Sequence, residues 1–267
     1  MPGAVKVFGS PTSAEVARVL ACLFEKDVEF QLIRVDSFRG AKRMPQYLKL
    51  QPHGEALTFE DGNVTLVESR KILRHIADKY KDQGNTELIG TGALERSSIE
   101  QWLQTEAQSF DVPSADLVYS LAFLPPPPAQ AQLGGGKAKG AECDEQDGGG
   151  ERQGRGGGGR NGEMNPAHRQ KVEEMRQLFE KSRKELNKVL DIYEQRLDEA
   201  EYLAGDKFTL ADLSHLPKAD ALASDPRSLS MIQSRRNVSR WWADISGRES
   251  WKYIKSLNRP PSAEAPF

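Results

Sequence analysis

Side chains able to do chemistry are few in this chain, and their spacing narrows what they could do. Two cysteines, Cys22 and Cys143, cannot make a disulfide framework or a four-thiolate zinc site. Four scattered histidines have neither an HExxH pattern nor any paired ligand spacing, so no metal site is expected. What remains are hydroxyls where helices should begin. Ser10, Thr12 and Ser13 stand just ahead of an amphipathic run, where a serine ordinarily serves as a helix cap. Ser69, preceded by Glu68, opens another such run; a hydroxyl at a helix N-terminus suits a carboxylate or other anion. Lys42 and Arg43 form a basic pair in a polar segment and read, as residues alone, as solvated charges. Cys22 lies about three turns along the first run, between apolar neighbours, which is the setting of a core thiol.

The elements that would position these residues alternate at first. Val5-Lys6-Val7-Phe8 has the period of a strand, and Gly9-Ser10-Pro11 ends it. From Ser13 onward, apolar residues at Val16, Val19, Leu20 and Leu23 follow the 3.6-residue period of a helix with one buried face. Val28 to Val35 returns to period two, and a weaker helical piece follows around Pro45 to Leu48. Two short strands are expected near Leu57–Phe59 and Val64–Val67, joined by the turn Asp61-Gly62-Asn63. Ser69 to Tyr80 reads as a helix with Ile72, Leu73 and Ile76 facing in. The first 81 residues therefore run β-α-β-α-β-β-α.

Beyond the polar connector the signals are helical only. Helices are expected over Ala93–Phe110, Ser114–Phe123, about 165–200, Ser234–Ile245 and Trp251–Leu257, making 92–267 an all-α second domain. In the long helix the apolar positions are Val172, Met175, Leu178, Leu186, Val189, Leu190, Ile192 and Tyr193. Gly205-Asp206-Lys207 breaks it. Thr209-Leu210-Ala211-Asp212 restarts a helix as a capping box with Asp for Glu, and Phe208 and Leu213 can close over it as a staple. Trp241, Trp242 and Trp251 read as packing residues.

Composition excludes several classes of function. With 37 Lys+Arg against 39 Asp+Glu, the net charge of -2 gives no electrostatic case for nucleic acid or a membrane surface as partner. No run of about eighteen apolar residues suggests a transmembrane helix, and the N-terminus lacks an apolar signal core, so the cytosol is the expected location. One segment, at about 125–165, is foreign to its surroundings. It holds PPPP, GGGK and GRGGGGRNG with almost no large apolar residue, a composition that predicts disorder. Arg152, Arg155 and Arg160 among its glycines resemble RNA-binding tracts, but interspersed acids and missing aromatics favour a passive insertion between helices.

The order β-α-β-α-β-β-α followed by a helical half resembles the soluble glutathione transferases. The blocks VKVFGSPTSAEVARVLACLFEKDVEFQLIRVD, LVESRKILRHIADKY, EYLAGDKFTLADLSHLP and NVSRWWADISGRESW are similar to the plant phi class. The resemblance implies a thioredoxin-like N-terminal domain that binds glutathione and helices that supply an acceptor pocket. It implies that Ser13 contacts the glutathione sulfur. A hydroxyl cannot take the thiol proton outright, but donating to the thiolate contributes about 1.5–3 kcal/mol, which lowers the thiol pKa by about one to two units. The helix N-terminus adds about 0.3–1 kcal/mol in the same direction. Glu68 and Ser69 would hold the γ-glutamyl end, and Lys42 and Arg43 the glycine carboxylate. The capping role of Ser13 and Ser69 stays open beside this, as does an ion-pair role for Arg70.

The chain departs from the phi pattern where that family carries Gln-Val-Pro before its third strand. Here Glu55, Ala56 and Leu57 stand instead. In the family that proline is cis and the backbone before it pairs with the cysteinyl part of glutathione. A cis bond before a residue other than proline costs about 2.5–4 kcal/mol, so Leu57 either bears that strain or shifts the loop. Glu55 adds a negative charge near the glycine carboxylate, and weakened glutathione affinity is expected. Phe38, Phe110, Tyr119 and Phe123 are candidate pocket walls or, equally, core residues. The implied activity is conjugation of glutathione, as co-substrate without a further cofactor, to hydrophobic electrophiles in detoxification, with peroxidase activity as an extension. A homodimer is implied. The alternative is a ligandin-type protein carrying plant metabolites on the same scaffold. An interaction module is a weaker third reading, with no sequence feature behind it beyond the insertion.

Overall fold

The computed structural model describes residues 5–35, 57–125 and 166–257. Its elements are β1 (Val5–Gly9), α1 (Ala14–Glu25), β2 (Phe30–Ile33), β3 (Leu57–Asp61), β4 (Val64–Leu66) and α2 (Ser69–Lys79). A helical half follows: α3 (Ala93–Thr105), a π turn (Glu106–Phe110), α4 (Asp111–Leu121), α5 (Pro166–Glu199), α6 (Leu210–Leu213), α7 (Leu216–Ala223), α8 (Pro226–Gln233), α9 (Arg236–Ser246) and α10 (Glu249–Leu257). The helix expected near Pro45 and the Gly/Pro-rich insertion lie outside the described residues.

The strands form one sheet in the order β2-β1-β3-β4, with β1 and β2 parallel and the other pairs antiparallel. Val5, Val7, Leu57 and Phe59 bury the central strands, as their alternation requires. The register puts Gly9 opposite Leu57, so β3 enters the sheet beside the turn that leads into α1. Gly62, at φ 64, makes the tight β3–β4 turn that Asp61-Gly62-Asn63 announces.

Helix α1 departs from the expected one-faced pattern, because every residue from Val16 to Leu23 is buried. It packs against α2 of its own half and against α6, α7 and α10 of the helical half. Such a position leaves Arg18 only 1% exposed, and each of its three side-chain nitrogens has a partner. Nε donates to the Ser214 carbonyl (2.9 Å), Nη1 to Ser69 Oγ (2.9 Å) and Nη2 to Glu106 Oε1 (3.2 Å). Glu106 is fully buried and also takes two bonds from Arg70, at 2.7 and 3.0 Å. Asp111 closes the cluster, 3.3 Å from Arg70, 3.7 Å from Lys218 and 3.9 Å from Arg18. Burial pulls the Arg18 guanidinium below its usual range against the attraction of Glu106. For Arg70 burial acts the same way, but the bonds and charge of Glu106 outweigh it and raise the pKa.

Glu106 is delivered by a π turn. The expected helices Ala93–Phe110 and Ser114–Phe123 are one continuous stretch widened at Glu106–Phe110. Pro113 has no N–H for the carbonyl four residues back and its ring crowds that turn, which accounts for the widening just ahead of it. The long helix runs 166–199 as expected, except that Ile192 is 52% exposed and outside the core. The capping box of Thr209 and Asp212 is present. Asp212 does more than cap: buried, it also accepts from the Leu203 N–H (3.0 Å) and from Trp241 Nε1 (2.9 Å). Beside it His215, also buried, bonds through Nδ1 to the Ala211 carbonyl (2.6 Å) and through Nε2 to the Tyr193 hydroxyl (2.8 Å). The carbonyl can only accept, so Nδ1 donates, Nε2 accepts and the ring is neutral. Among the described residues, no helix is long and apolar enough to cross a membrane.

Two outcomes follow for stability. Glu106→Ala leaves the Arg18 guanidinium buried without its main counter-charge, and should lower the unfolding free energy by about 3–5 kcal/mol in urea titration. A loss below about 1 kcal/mol would mean the ion pair is dispensable. Burial pushes the His215 pKa down to about 4. Its folded value lies below the unfolded one, so this contribution is present above about pH 6.5 and lost as the pH falls toward 4. The loss should reach roughly 3 kcal/mol and be absent from the pH profile of His215→Asn. Parallel pH profiles of the two proteins would refute it.

Candidate active site

Two helix N-termini carry the hydroxyls singled out by the sequence. Ser13 precedes α1 with extended backbone (φ -73°, ψ 130°); its N–H donates to the Ser10 carbonyl and its carbonyl accepts from the Ala17 N–H. Its side chain makes no capping hydrogen bond, so the simple cap role is not the one it fills. The neighbouring hydroxyls of Ser10 and Thr12 are bonded to each other at 2.7 Å. Ser13 is thus the hydroxyl of the three left at the positive end of α1, half-buried.

At α2 the capping role expected of Ser69 is filled by Glu68, whose carboxylate accepts from the backbone N–H groups of Arg70 (2.9 Å) and Lys71 (3.0 Å). Ser69, 2% exposed, is the first residue of the helix, and its Oγ accepts from Arg18. With that lone pair engaged, the Ser69 hydroxyl keeps its hydrogen to donate. Arg70 is an ion-pair member, as its place beside Glu106 and Asp111 makes plain.

A groove of about 410 Å³ opens next to Ser13. Thr12 and Ala14, the residues flanking Ser13, line it together with Val118 and Tyr119 of α4, Pro217 of α7 and Trp251 of α10. Tyr119 is therefore a wall. Phe123, 40% exposed, meets Tyr119 edge to face at 5.1 Å and supports it from outside. Phe110 is a correction: it is 1% exposed, packed against Tyr193 and His215, and belongs to the core. Trp251 is a groove wall as well as a packing residue, its Nε1 donating to Asp220 at 3.2 Å.

Leu57, fully buried, is the first residue of β3. Phe38, Lys42, Arg43, Glu55 and Ala56 lie outside the described residues, and with Ala56 so does the bond that precedes Leu57. Cys22 is buried, its thiol pKa pushed up by burial, and its sulfur 4.0 Å from the Leu73 carbonyl; it is a core residue, not a nucleophile. Cys143 lies outside the described residues. Sequence reasoning missed Arg18, Glu106, Asp111 and Lys218. A cation inside the otherwise apolar stretch Val16–Leu23 was the one available signal.

Comparison with known proteins bears on this arrangement. The family described as glutathione S-transferase, N-terminal domain, matches residues 3–78, and its C-terminal domain matches 162–249. Glutathione S-transferase F11 of Arabidopsis thaliana is 36% identical over 95% of this chain and 98% of that one. Glutathione S-transferase PARB of Nicotiana tabacum is 34% identical over 96% and 98%. Among solved structures, glutathione transferase F2 of Populus trichocarpa is similar with a TM-score of 0.73 and 41% identity, covering 95% of this chain and 98% of that one. Two matched domains, an overall fold shared with a solved plant enzyme, and relatives aligned along nearly the whole chain agree: this protein belongs to the glutathione S-transferase family, in its plant phi class.

Proposed function

We propose that this protein conjugates the glutathione thiolate to hydrophobic electrophiles, and that Ser13 is the residue that stabilises the thiolate. The observation that carries the proposal is the uncommitted Ser13 hydroxyl at the N-terminus of α1, beside a groove large enough for a small aromatic molecule. Glutathione would lie between the two helix ends. At α2, Ser69 donates to the γ-glutamyl carboxylate, backed by the buried Arg18 charge, and Glu68 accepts from the adjacent ammonium group. Lys42 and Arg43 complete the site at the glycine carboxylate, with Ala56 at the cysteinyl backbone. At α1, the Ser13 O–H and the helix end favour the thiolate over the thiol. With a chloroarene, the sulfur bonds to the ring carbon that carries chlorine, the carbon–chlorine bond breaks, and chloride leaves. Reduction of hydroperoxides by the same thiolate, a cytosolic location and a homodimer go with this reading.

A second reading, a ligandin-type carrier, is favoured by Leu57 and Glu55, which depart from the phi pattern at the cysteinyl and glycine ends of the site.

Conjugation to chlorodinitrobenzene by wild type and Ser13→Ala, side by side, tests the proposal. The variant should lose roughly ten- to hundredfold in kcat/KM, the equivalent of one charge-assisted hydrogen bond. The pH profile of the variant should also shift to higher pH by about one to two units. No activity in folded wild type would move the assignment to the carrier. Separately, Leu57→Pro with Glu55→Gln should raise glutathione affinity by about tenfold in calorimetry. Unchanged affinity would show that these departures do not weaken the site.

A further inference from the structure

Of the two charged residues that line the groove, one is hydrogen-bonded by its counter-charge and one is not. Asp220 accepts from Trp251 Nε1 at 3.2 Å and from Lys255 Nζ at 2.9 Å, so its charge is matched. Lys218 pairs with Asp111 Oδ1 at 3.7 Å, too long for a hydrogen bond, while Arg70 holds the other oxygen at 3.3 Å; neither Lys218 nor that buried Oδ1 gains a hydrogen bond from the pair. Across the buried cluster, the cations Arg18, Arg70 and Lys218 stand against the carboxylates Glu106 and Asp111. In these direct pairs the cations outnumber the carboxylates by one, with exposed Glu15 a further negative charge near Arg18, and Lys218 is the member that reaches the groove. A second observation sits on the same wall: Ser114 of α4 is fully buried, lines the groove, and its Oγ has no hydrogen-bond partner among the described residues. An unbonded buried hydroxyl is costly unless something accepts from it. Apart from Thr12, whose hydroxyl is bonded to Ser10, the rest of the lining used above, from Ala14 and Val118 to Tyr119, Pro217 and Trp251, is apolar or aromatic.

We infer that the groove selects aromatic molecules bearing an anionic group of the arenecarboxylate kind, with the ring against Tyr119 and Trp251 and the carboxylate taking donors from Lys218 and Ser114. This specifies the acceptor class for the transferase reading and rests on it only for the reaction; the binding preference stands without it. A neutral hydrophobe would fill the apolar walls and leave both donors unanswered.

Equilibrium dialysis of full-length protein with 3-nitrobenzoate and 3-nitrobenzamide, which match in size and differ in charge, reads the preference directly. Wild type should bind the benzoate about tenfold tighter than the benzamide. Lys218→Gln should bring that ratio to within about twofold of unity, and Lys218→Arg should restore it. Ser114→Ala should weaken both probes, since each offers an oxygen acceptor. The same change in the ratio from wild type to variant should recur in kcat/KM for 4-chloro-3-nitrobenzoate over 4-chloro-3-nitrobenzamide, because the intrinsic ring reactivities cancel between variants. Equal affinity for the two probes, a ratio unmoved by Lys218→Gln, or no saturable binding of either overturns the inference. Charge-selective binding without glutathione conjugate would instead overturn the transferase reading and leave this one standing.

Discussion

Burying a guanidinium in the middle of α1 is the constraint around which the two halves are arranged. An arginine is always charged, and removing it from water costs several kcal/mol unless geometry and hydrogen bonds are nearly ideal. Arg18 meets that demand with partners that no single half could supply. Ser69 belongs to the sheet-containing half, whereas Glu106 and the Ser214 carbonyl belong to the helical half. The planar fork of donors fixes direction as well as distance, so the halves can dock in only a narrow range of orientations. A lysine, a point charge on a flexible stem, would satisfy the charge without fixing the angle. At the far end of α1 a second junction repeats the logic, with Glu25 held by Arg248 through two bonds of 2.8 Å and by Ser250. There burial alone would raise the Glu25 pKa, but the bonds from Arg248 and Ser250 outweigh it and lower it. Gly84 lets the connector pass over this junction: a side chain there would meet the backbone of Glu25 and Lys26 at 2.4–2.8 Å.

The site inherits its geometry from that docking. Ser13 and Ser69 lie at the N-termini of two helices that pack on each other, and Arg18 ties the body of one helix to the first residue of the other. A molecule held at both ends is therefore held by a rigid pair, not by two independent loops. The groove beside Ser13 is likewise a product of the junction, since its walls come from α1 on one side and from α4, α7 and α10 on the other. Loosening the ion cluster would change stability, Ser69 orientation and groove width together. For that reason a substitution at Glu106 speaks about the scaffold, while one at Ser13 tests the proposed chemistry.

What could be read from the sequence was what depends on near neighbours. The capping box at Thr209 and Asp212, the limits of the long helix and the inward face of α2 all follow from spacing within a few residues. The helices Leu216–Ala223 and Pro226–Gln233 were not among the expected elements; each is only eight residues long and carries its proline, Pro217 or Pro226, in the first turn, where proline is well suited. Arg18 and Glu106 could not be paired, because their meaning depends on partners 88 and 196 residues away. Phe110 and Tyr119 are both aromatic and nine residues apart, and nothing local tells a core ring from a groove wall. The capping role left open for Ser69 could not be assigned locally either: the glutamate before it caps the helix, while the serine is held by Arg18 from 51 residues away.

Leu57 separates the question of folding from the question of binding. Its side chain is fully buried at the start of a central strand, in register with Gly9. Burying a leucine contributes about 1.5–3 kcal/mol relative to leaving it exposed, so the residue anchors β3 firmly in the sheet. The neighbours on the other side of it, Glu55 and Ala56, belong to the segment that the family resemblance assigns to glutathione. A change that weakens contact with the tripeptide there need not loosen the sheet, since the packing that fixes β3 begins at Leu57 and runs inward through Thr58 and Phe59. The same holds across the molecule, because the apolar groove walls, the Arg18 cluster and the Ser13 hydroxyl are set by helices that do not include residues 51–56. Under the proposed function, glutathione affinity can therefore change while the packing of β3, the groove and the N-terminal end of α1 stay as they are, and that independence is what makes a transferase and a ligand carrier two readings of one structure.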